Sequence, residues 1–285
     1  MIVVTGAGGK TGRAMIQVLA SRGQRVRALV RSEQQASAAI EAGAAEAVQV
    51  DLLEPSSLTP AFAGAQAIYH ICPNVHPGEL EIGRNSITAA QQAGVERFVL
   101  HSVLHPHTQA MPHHWNKLLV EELLINSGLG FTILQPANYM QNVLGEWWRV
   151  RLRSQYHVPY SVAARFSPVD LLDVAEAAVI VLTTPNHDGA IYELAGPEIH
   201  TPETMAHEMG EAFGKLVTAV QVDLEEWRKG IDLDEQRIEM LIRMFEYYAS
   251  HGLWGNSRVL ADLLGRRPTS LREFLSRIVQ EGATA

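Results

Sequence analysis

The chain has 285 residues, a formal net charge of −8 and a hydrophobic content of 47%. This size allows one large α/β domain, or a dinucleotide-binding domain that carries a smaller lobe. The acidic balance argues against nucleic acid as a partner, because phosphate neutralisation requires a basic face. Cys72 is the only cysteine of the sequence, which excludes an intrachain disulfide framework and a thiolate metal cluster.

The sequence carries no recognisable targeting or membrane segment. The apolar run Ile2–Val4 stops at Thr5 and is too short for the hydrophobic region of a signal peptide. No stretch approaches the roughly 18 uninterrupted apolar residues that a membrane helix needs. We therefore expect a cytoplasmic protein that does not contact a membrane.

Short apolar segments alternate with helical patterns over the first two-thirds of the chain. The predicted strands are Ile2–Thr5, Arg25–Val30, Ala47–Val50, Ala67–Ile71, Phe98–His101 and Phe131–Leu134. The predicted helices between them are Arg13–Arg22, Glu33–Ala42, Leu58–Ala63, Leu80–Ala93 and Lys117–Ser127. Strands separated by helices of this length indicate parallel pairing, and uniformly apolar strands indicate a sheet covered on both faces.

The pattern changes after Pro136. The expected elements are an aromatic helix over Tyr139–Tyr156, a helix over Asp170–Thr183, a strand over Ala190–Leu194, and a mostly helical remainder with one strand at Val217–Val222. The predicted fold is α/β, a Rossmann-type doubly wound parallel sheet with a smaller, mostly helical C-terminal substrate lobe. We assign residues 1–137 and 166–197 to the sheet domain, and residues 138–165 and 198–285 to the lobe.

Three glycines punctuate the turn between the first strand and the first helix. Gly6 permits a tight turn, Gly9 lets the backbone approach a pyrophosphate, and Gly12 lets the helix pack close to the sheet. N–H groups at the start of the helix, near Thr11, face the phosphates, and the helix dipole favours their charge. Lys10 and Arg13 can add positive charge from the turn. The alternative is an ordinary βα turn that happens to be rich in glycine.

The end of the second strand indicates which dinucleotide is bound. A protein that prefers NAD places a carboxylate against the ribose 2′-hydroxyl about 20 residues beyond the turn. Here the strand ends at Arg31, and a guanidinium suits a 2′-phosphate. Glu33 argues the other way, although it lies at a helix start where it faces solvent. NADP(H) is favoured, and the alternative is that Arg31 only solvates the end of a strand.

Further contacts to the dinucleotide are predicted where later strands end, because open α/β sheets bind ligands along that edge. Cys72 has no catalytic partner arranged in sequence, so a small buried residue is favoured over a nucleophile. The predicted contacts are Asp51 and Leu52 near the adenine, Ile71, Cys72 and Pro73 along the ribose and pyrophosphate, and Pro136 and Asn138 after the sixth strand.

Taken together, these motifs resemble those of the NmrA-like group of atypical short-chain dehydrogenases/reductases, over almost the whole chain. Bacterial quinone and triphenylmethane reductases and plant phenylcoumaran benzylic ether reductases of this group are similar in layout. The matching blocks are Gly6-x-x-Gly9-x-x-Gly12, Arg31, Asp51-Leu52, Lys117-x-x-x-Glu121, Ser127-Gly128-Leu129, Thr132-Ile133-Leu134-Gln135-Pro136, Pro168-Val169-Asp170, Asp173-Val174-Ala175 and Tyr192-Glu193-Leu194-Ala195-Gly196-Pro197.

The resemblance fails at one point that matters for catalysis. Typical members of the superfamily use Tyr-x-x-x-Lys, whereas His113 precedes Lys117 at that spacing here. The resemblance implies that Lys117 is the residue to consider for catalysis. It is expected either to bind the nicotinamide ribose or to act as a general acid, if burial lowers its pKa. The alternative is a surface pair with Glu121, one helical turn away.

Five histidines lie between the fifth strand and the Lys117 helix, at positions 101, 105, 107, 113 and 114. We predict no metal site, because no His-Glu-x-x-His helix or matching carboxylate spacing accompanies them. His113 is the best candidate for a proton donor near neutral pH, and a solvated or substrate-lining loop is the alternative. The resemblance places Ser102 where a hydrogen-bonding serine orients substrate or nicotinamide.

Aromatic residues follow the sixth strand. Tyr139, Met140, Trp147 and Phe166, with Trp148 beside them, are predicted to line an apolar wall for a flat substrate such as a quinone. For the two tryptophans, packing of the small lobe is an equal alternative.

Three functions remain open from the sequence. The first is an NADPH-dependent reductase that transfers hydride to a small quinone-like, aromatic or conjugated acceptor. The second is a non-catalytic NADP(H) sensor with a regulatory protein partner, which the missing tyrosine favours. A sugar-nucleotide epimerase is the third and weakest, because that chemistry normally requires the tyrosine, which is absent here. A homodimer also stays open.

Overall fold

The computed structural model describes residues 1–282 and divides the chain into two compact units. The first unit comprises residues 1–108, 113–135 and 174–192, and the second comprises 109–112, 136–173 and residues from 193 onward. Residues 166–173 and 193–197, which the sequence assigns to the sheet domain, cluster with the second unit. Backbone hydrogen bonds explain this grouping, because Phe166 exchanges two of them with His200 at 2.7 Å each.

The strands follow the predicted order, with one addition. They are β1 (Ile2–Val4), β2 (Val26–Val30), β3 (Glu46–Gln49), β4 (Ala67–His70), β5 (Arg97–His101), β6 (Gly130–Pro136), β7 (Gln155–Val158), β8 (Ala190–Leu194) and β9 (Thr218–Gln221). Seven of them form one sheet in the order β3-β2-β1-β4-β5-β6-β8. Strands β1 to β6 pair in parallel, which confirms the Rossmann-type α/β prediction.

Twelve α-helices are described within residues 1–282, together with a 3-10 helix at Met140–Glu146. They are α1 (Lys10–Ser21), α2 (Glu33–Glu41), α3 (Pro55–Phe62), α4 (Glu79–Gln92), α5 (Pro112–Ile125), α6 (Trp147–Arg153), α7 (Leu171–Thr183), α8 (Pro202–Phe213), α9 (Leu224–Lys229), α10 (Glu235–His251), α11 (Arg258–Leu264) and α12 (Leu271–Gln280). None of them is both long and apolar enough to cross a bilayer.

The core of the first unit forms where apolar side chains of the strands meet those of the flanking helices. All residues of β1 and β4 are buried, as expected for strands that are covered on both faces. Ile68 and Phe98 from the strands pack in one cluster with Phe62 of α3 and Leu124 of α5. The carboxyl ends of the strands are thereby held at one edge, where the candidate site lies.

The second unit departs from the sequence prediction at Tyr139–Tyr156, which is not one helix. The chain passes through the 3-10 helix and α6, turns at Ser154 (φ +55°), and enters β7 at Gln155. Strand β7 pairs in parallel with β9, more than 60 residues later in the sequence. A local helical pattern does not reveal such a distant partner, which is why Tyr156 was wrongly predicted to be helical.

Candidate functional site

Two of the three turn glycines are required by the fold itself. Gly6 has φ +60°, and a Cβ atom there would lie 2.8 Å from the carbonyl oxygen of Ile71. A Cβ atom on Gly12 would lie 2.5 Å from the carbonyl oxygen of Gly6 and 2.6 Å from Cα of Ala7. The first helix therefore packs against the turn as closely as the backbone allows.

Gly9 differs from these two positions. The nearest atom to a Cβ placed there is the carbonyl oxygen of Gly6 at 3.4 Å, an ordinary contact, and φ is −83°. Gly9 is also the N-cap of α1, so no side chain caps the helix. Nothing in the described chain demands glycine here, whereas a phosphate approaching the amides of the first turn would. The turn fits a bound diphosphate.

Arg31 ends β2 at the surface, with its backbone held on both sides. Its N–H donates to Oε1 of Gln35 at 2.9 Å, and its carbonyl oxygen accepts from Nε2 of Gln49 at 2.8 Å. Its side chain is exposed, and within residues 1–282 no carboxylate forms an ion pair with it. Glu33, in the first turn of α2, is exposed too. The backbone of Arg31 is thus held in place, while its guanidinium is accessible to a ligand phosphate.

The predicted contacts at the third strand have structural roles of their own. Leu52 is buried in the core of the first unit. The Asp51 side chain is exposed and accepts from the N–H of Leu53 at 2.9 Å, which shapes the turn before α3. Contact with the adenine stays a prediction for both residues.

At the end of β4, the Thr5 hydroxyl connects two strands. It donates to the carbonyl oxygen of Ile71 at 3.0 Å, accepts from the N–H of Ile71 at 2.8 Å, and lies 3.1 Å from Nδ1 of His70. Because the hydroxyl hydrogen is already committed, Nδ1 of His70 carries the hydrogen, and Nε2 is left as an acceptor. Nε2 is buried without a hydrogen-bond partner in the described chain. Burial lowers the pKa of His70 to about 4, so the ring is neutral.

Cys72 is buried directly after β4, as the sequence analysis favoured, and Pro73 follows at the edge. Burial raises the pKa of the Cys72 thiol, so the group stays protonated near neutral pH. The raised pKa and the burial both favour a structural role for Cys72 over a nucleophile.

The helix that carries Lys117 begins five residues earlier than predicted, at Pro112. His113 and His114 therefore lie on α5 and are buried, which corrects their placement in a loop. Proline is well suited to the first position of a helix, because its missing N–H has no partner there. His113 and Lys117 stand four residues apart, on the same face of the helix.

Lys117 forms a buried ion pair, and its partner is not Glu121. Its Nζ lies 2.5 Å from Oε1 of Glu79, the first residue of α4. Lys117 is 9% exposed and Glu79 is 2% exposed, so the surface-pair alternative is wrong. Burial alone would lower the pKa of Lys117, but the Glu79 carboxylate raises it above its ordinary value. The general-acid role, which needed a lowered pKa, is therefore not supported.

Glu79 contacts a second group on α5. Burial alone would raise the pKa of its carboxyl, but the nearby Lys117 ammonium and His113 lower it to about 2. Its Oε2 faces Nδ1 of His113 at 3.6 Å. Both atoms are buried, and neither has a hydrogen-bond partner within residues 1–282.

Glu121 belongs to a separate buried network. It accepts from the Ser102 hydroxyl and, at 3.0 Å from each oxygen, from Nε2 of Gln135. The Ser102 N–H donates to the carbonyl oxygen of Leu134 at 2.8 Å. With its hydrogen given to Glu121, the Ser102 hydroxyl has only acceptor capacity left for a substrate.

Three of the remaining histidines lie close together, since the ring centroids of His105 and His107 are 5.8 Å apart and His114 lies beside His105. His101 lies on β5, with Nδ1 2.5 Å from the Tyr69 hydroxyl, and His114 lies near the carbonyl oxygen of His105. Burial lowers the pKa of His101 and of His114 to about 3. In the part of the chain that the structure describes, no three His, Cys, Asp or Glu side chains converge as metal ligands.

Two residues beside this region have strained backbones. Val75, in the loop after β4, has φ +48°, and His105, in the loop after β5, has φ +54°. A left-handed conformation is costly for a β-branched residue such as Val75. Strain of this kind tends to accumulate near functional sites. The Val75 loop leads directly into Glu79.

The predicted substrate-lining residues lie in the second unit. Met140 and Trp147 are buried in its hydrophobic core, where the Trp147 ring packs against Phe213 in a tilted arrangement with a centroid distance of 4.8 Å. Phe166 is buried against Tyr160 and Tyr248. This burial favours the packing alternative for Trp147, whereas Trp148 is 48% exposed.

Three of the residues predicted after β6 also belong to the second unit. Pro136 is buried, and Asn138 and Tyr139 are partly exposed. The Oδ1 atom of Asn138 is buried without a hydrogen-bond partner in the described chain. Their roles stay predictions.

Glu79, His70 and Tyr69 were not predicted as site residues from the sequence. The helix of Glu79 was predicted to begin one residue later, at Leu80, so the carboxylate was placed outside it. A carboxylate in the first turn of a helix is a recognised start signal, and Glu79 with Glu81 provided it. No local signal links Glu79 to Lys117, 38 residues later.

Comparison with known proteins places these features in a family. A model of the NmrA-like family matches residues 1–275. An NAD(P)H azoreductase from Xenophilus azovorans is 27% identical over 282 residues, which cover 96% of both chains. The structure of an NADPH-dependent quinone oxidoreductase from Escherichia coli, complexed with NADPH, has a TM-score of 0.84 at 27% identity and covers 98% of this chain and 100% of its own.

A second solved structure supports the fold alone. The triphenylmethane reductase of Citrobacter sp., complexed with NADP(H), has a TM-score of 0.84 at 24% identity and covers 97% of this chain and 99% of its own. This chain therefore shares the arrangement of its sheet and helices with both structures over nearly their full length.

Proposed function

The chain belongs to the NmrA-like family, and on that basis we propose that it is an NADPH-dependent reductase that transfers hydride to a small quinone-like, aromatic or conjugated acceptor. The observation that carries the proposal is the similarity, over nearly the whole chain, to an NAD(P)H azoreductase and an NADPH-dependent quinone oxidoreductase. The geometry of the glycine turn independently supports the binding of a dinucleotide, which this function requires.

The residues that would hold NADPH lie around the glycine turn. The amides of the first turn of α1 would bind the diphosphate beside Gly9, and Arg31, with the exposed Arg13, would bind the 2′-phosphate. The bound nicotinamide would supply the hydride. Lys117 would meet the nicotinamide ribose or the acceptor as a permanent cation, because Glu79 keeps it charged.

A fixed cation suits an acceptor that gains negative charge. Hydride transfer to a quinone, an azo group or a conjugated cation leaves either an anion that electron delocalisation stabilises or a neutral product. An ammonium held in place before the reaction stabilises such charge at no cost of reorganisation. Because a delocalised anion takes its proton from water or from His113, the tyrosine missing from the Tyr-x-x-x-Lys position is not required.

The test is a screen of NADPH oxidation with purified protein. Quinones, azo dyes, triphenylmethane dyes, enones and simple aldehydes would be compared, with NADPH and NADH as donors. We expect turnover with at least one conjugated acceptor and none with simple aldehydes. Absence of turnover with every acceptor would contradict the reductase proposal.

A non-catalytic NADP(H) sensor is the second candidate, and His113 at the position of the tyrosine favours it. The two functions differ in one outcome. A sensor binds NADPH in a saturable way but oxidises it with no acceptor, and its affinity for a partner protein depends on the redox state of the nucleotide.

The nucleotide preference is tested by Arg31→Ala, with Arg25→Ala as the matched control. Arg25 is also exposed but precedes the opposite end of β2. We expect Arg31→Ala to weaken NADPH binding about tenfold, or about 1.4 kcal/mol, without changing NADH binding. Arg25→Ala should leave both affinities unchanged, and an equal loss in the two variants would argue against a 2′-phosphate contact.

A further inference from the structure

The Glu79 carboxylate lies beside both His113 and Lys117, the two α5 residues at the Tyr and Lys positions of the Tyr-x-x-x-Lys motif. Glu79 opens α4, where the helix dipole favours a negative charge, and its side chain is buried. One oxygen contacts Nζ of Lys117 at 2.5 Å, and the other lies 3.6 Å from Nδ1 of His113. The loop that contains Val75, whose backbone is strained, leads directly into Glu79.

Two buried polar atoms of this arrangement lack the hydrogen bond that they could form with each other. Oε2 of Glu79 and Nδ1 of His113 are both buried and both lack a hydrogen-bond partner within residues 1–282. A hydrogen on Nδ1 would satisfy both atoms after a shift of about half an ångström, since N–H···O hydrogen bonds reach roughly 3.2 Å. The His113 side chain keeps 10% of its surface exposed while Nδ1 is sealed, so another part of the side chain reaches the surface.

The other titratable groups near this pair carry little opposing charge. His70 and His101 are neutral because burial lowers the pKa of each ring, and Cys72 is a protonated thiol. Glu121 is engaged by Ser102 and Gln135, and burial raises its pKa. Glu79 is therefore the carboxylate that compensates the buried ammonium of Lys117.

We propose that Glu79 is a positioning residue of the reductase site, which keeps Lys117 charged in a fixed place and holds His113 with Nδ1 directed at the carboxylate. The role rests on the proposed function in one respect, that Lys117 and His113 meet cofactor or acceptor. Glu79 acts through these two side chains. A histidine held in this tautomer keeps Nε2 as the atom that takes up or releases a proton.

The substitution Glu79→Gln keeps the shape and removes the charge. Lys117 would then be buried without a counter-charge, and burial alone lowers the pKa of a lysine. The wild-type pair keeps Lys117 charged up to and beyond its ordinary pKa. The variant should therefore gain an ionisation below the ordinary lysine pKa of about 10.4, which the wild type lacks.

The first readout needs no cofactor. In Glu79→Gln, the folded protein would bind fewer protons than the unfolded chain between about pH 7 and 10, so the free energy of unfolding should rise with pH over that range. The wild type should show no such rise, and the double variant Glu79→Gln/Lys117→Met should abolish it. Asp173→Asn is the control, because it removes another buried carboxylate, one that pairs with Arg266. This variant should lower stability without the rise of unfolding free energy with pH.

The second readout is NADPH affinity across the same pH range. In Glu79→Gln, the dissociation constant should rise about tenfold between about pH 7 and 10, as Lys117 loses its proton. The wild type should stay level, and Glu79→Asp should restore most of the wild-type behaviour. A merely structural role would lower stability equally at every pH and leave this profile unchanged.

The outcomes separate the two proposals. A folded Glu79→Gln protein with neither pH dependence would overturn the positioning role of Glu79. A rise in unfolding free energy with no effect on NADPH affinity would overturn it as well, by showing that the pair does not act on the site. If the wild type binds no NADPH at all, the proposed function fails, whatever the unfolding data show.

Discussion

Two regions of the first unit bear on function, and they are built in opposite ways. The glycine turn is local, because its constraints involve the neighbouring residues 5–35 and one contact with the end of β4. The Glu79–Lys117 cluster joins residues 38 positions apart, and the Thr5–His70 contact beside it joins residues 65 apart. The turn could be interpreted from sequence, whereas the cluster required the fold.

The regions also differ in the forces that constrain them. At Gly6 and Gly12 the constraint is steric, since a single added carbon would meet backbone atoms. In the cluster the constraint is electrostatic, because a buried charge is tolerated only when it is paired. Substitutions in the turn should therefore act through steric overlap, and substitutions in the cluster through unpaired buried charge.

The largest effect is expected in the cluster. Lys117→Met leaves Glu79 buried without a counter-charge and should cost about 3–5 kcal/mol of the free energy of unfolding. The double variant Lys117→Met/Glu79→Gln removes both charges and should recover most of that loss. Urea unfolding at pH 7 measures both variants. A double variant less stable than Lys117→Met would show that the pair is not what holds this region together.

The turn should separate folding from binding. Gly12→Ala places Cβ against the backbone of Gly6 and Ala7 and should cost about 1–3 kcal/mol, by analogy with overpacked cores. Gly9→Ala meets no atom closer than 3.4 Å, so stability should change little while NADPH affinity falls about tenfold. Thermal unfolding and nucleotide titration provide the two measurements. Equal losses of stability in both variants would argue that Gly9 is structural.

Acid should weaken the first unit through its buried neutral histidines. The folded pKa of His101 and of His114 is about 3, below the ordinary value of 6.5, so the unfolded chain binds more protons between those values. Stability should therefore fall as the pH drops below about 6.5, by up to 1.4 kcal/mol per pH unit for each histidine.

A matched pair of variants tests this assignment. His114→Asn should reduce the pH slope of the unfolding free energy between about pH 6 and 5 by nearly one proton. His207→Asn, which changes an exposed histidine of α8, should leave the slope as it is. An unchanged slope in His114→Asn would mean that His114 is not kept neutral by the fold.

The first six strands of the sheet and the glycine turn were predictable because their signals are local. Apolar runs bounded by turns reveal buried strands, and three glycines at fixed spacing reveal a backbone geometry. Strand β7 was missed because its partner β9 lies far along the chain, and Pro112 was overlooked as the start of α5. The first error arises because tertiary pairing decides the outcome, whereas Pro112 is a local signal for a helix start.

Within the site, residue type was more predictable than pairing. Lys117 and His113 were named as candidates from their spacing, and their roles stay predictions, but Glu121 was considered as the partner of Lys117 because it lies one turn away. The actual partner, Glu79, comes from a different helix. The aromatic wall shows the same limit, since a buried Trp147 and an exposed Trp148 are adjacent in sequence.

The central claim is that the glycine turn and Arg31 bind a dinucleotide that carries a 2′-phosphate. Calorimetric titration of the unmodified protein with NADPH and with NADH tests it most directly. We expect saturable binding of NADPH that is at least about tenfold tighter than that of NADH. No saturable heat with either nucleotide, or equal affinity for the two, would contradict the claim.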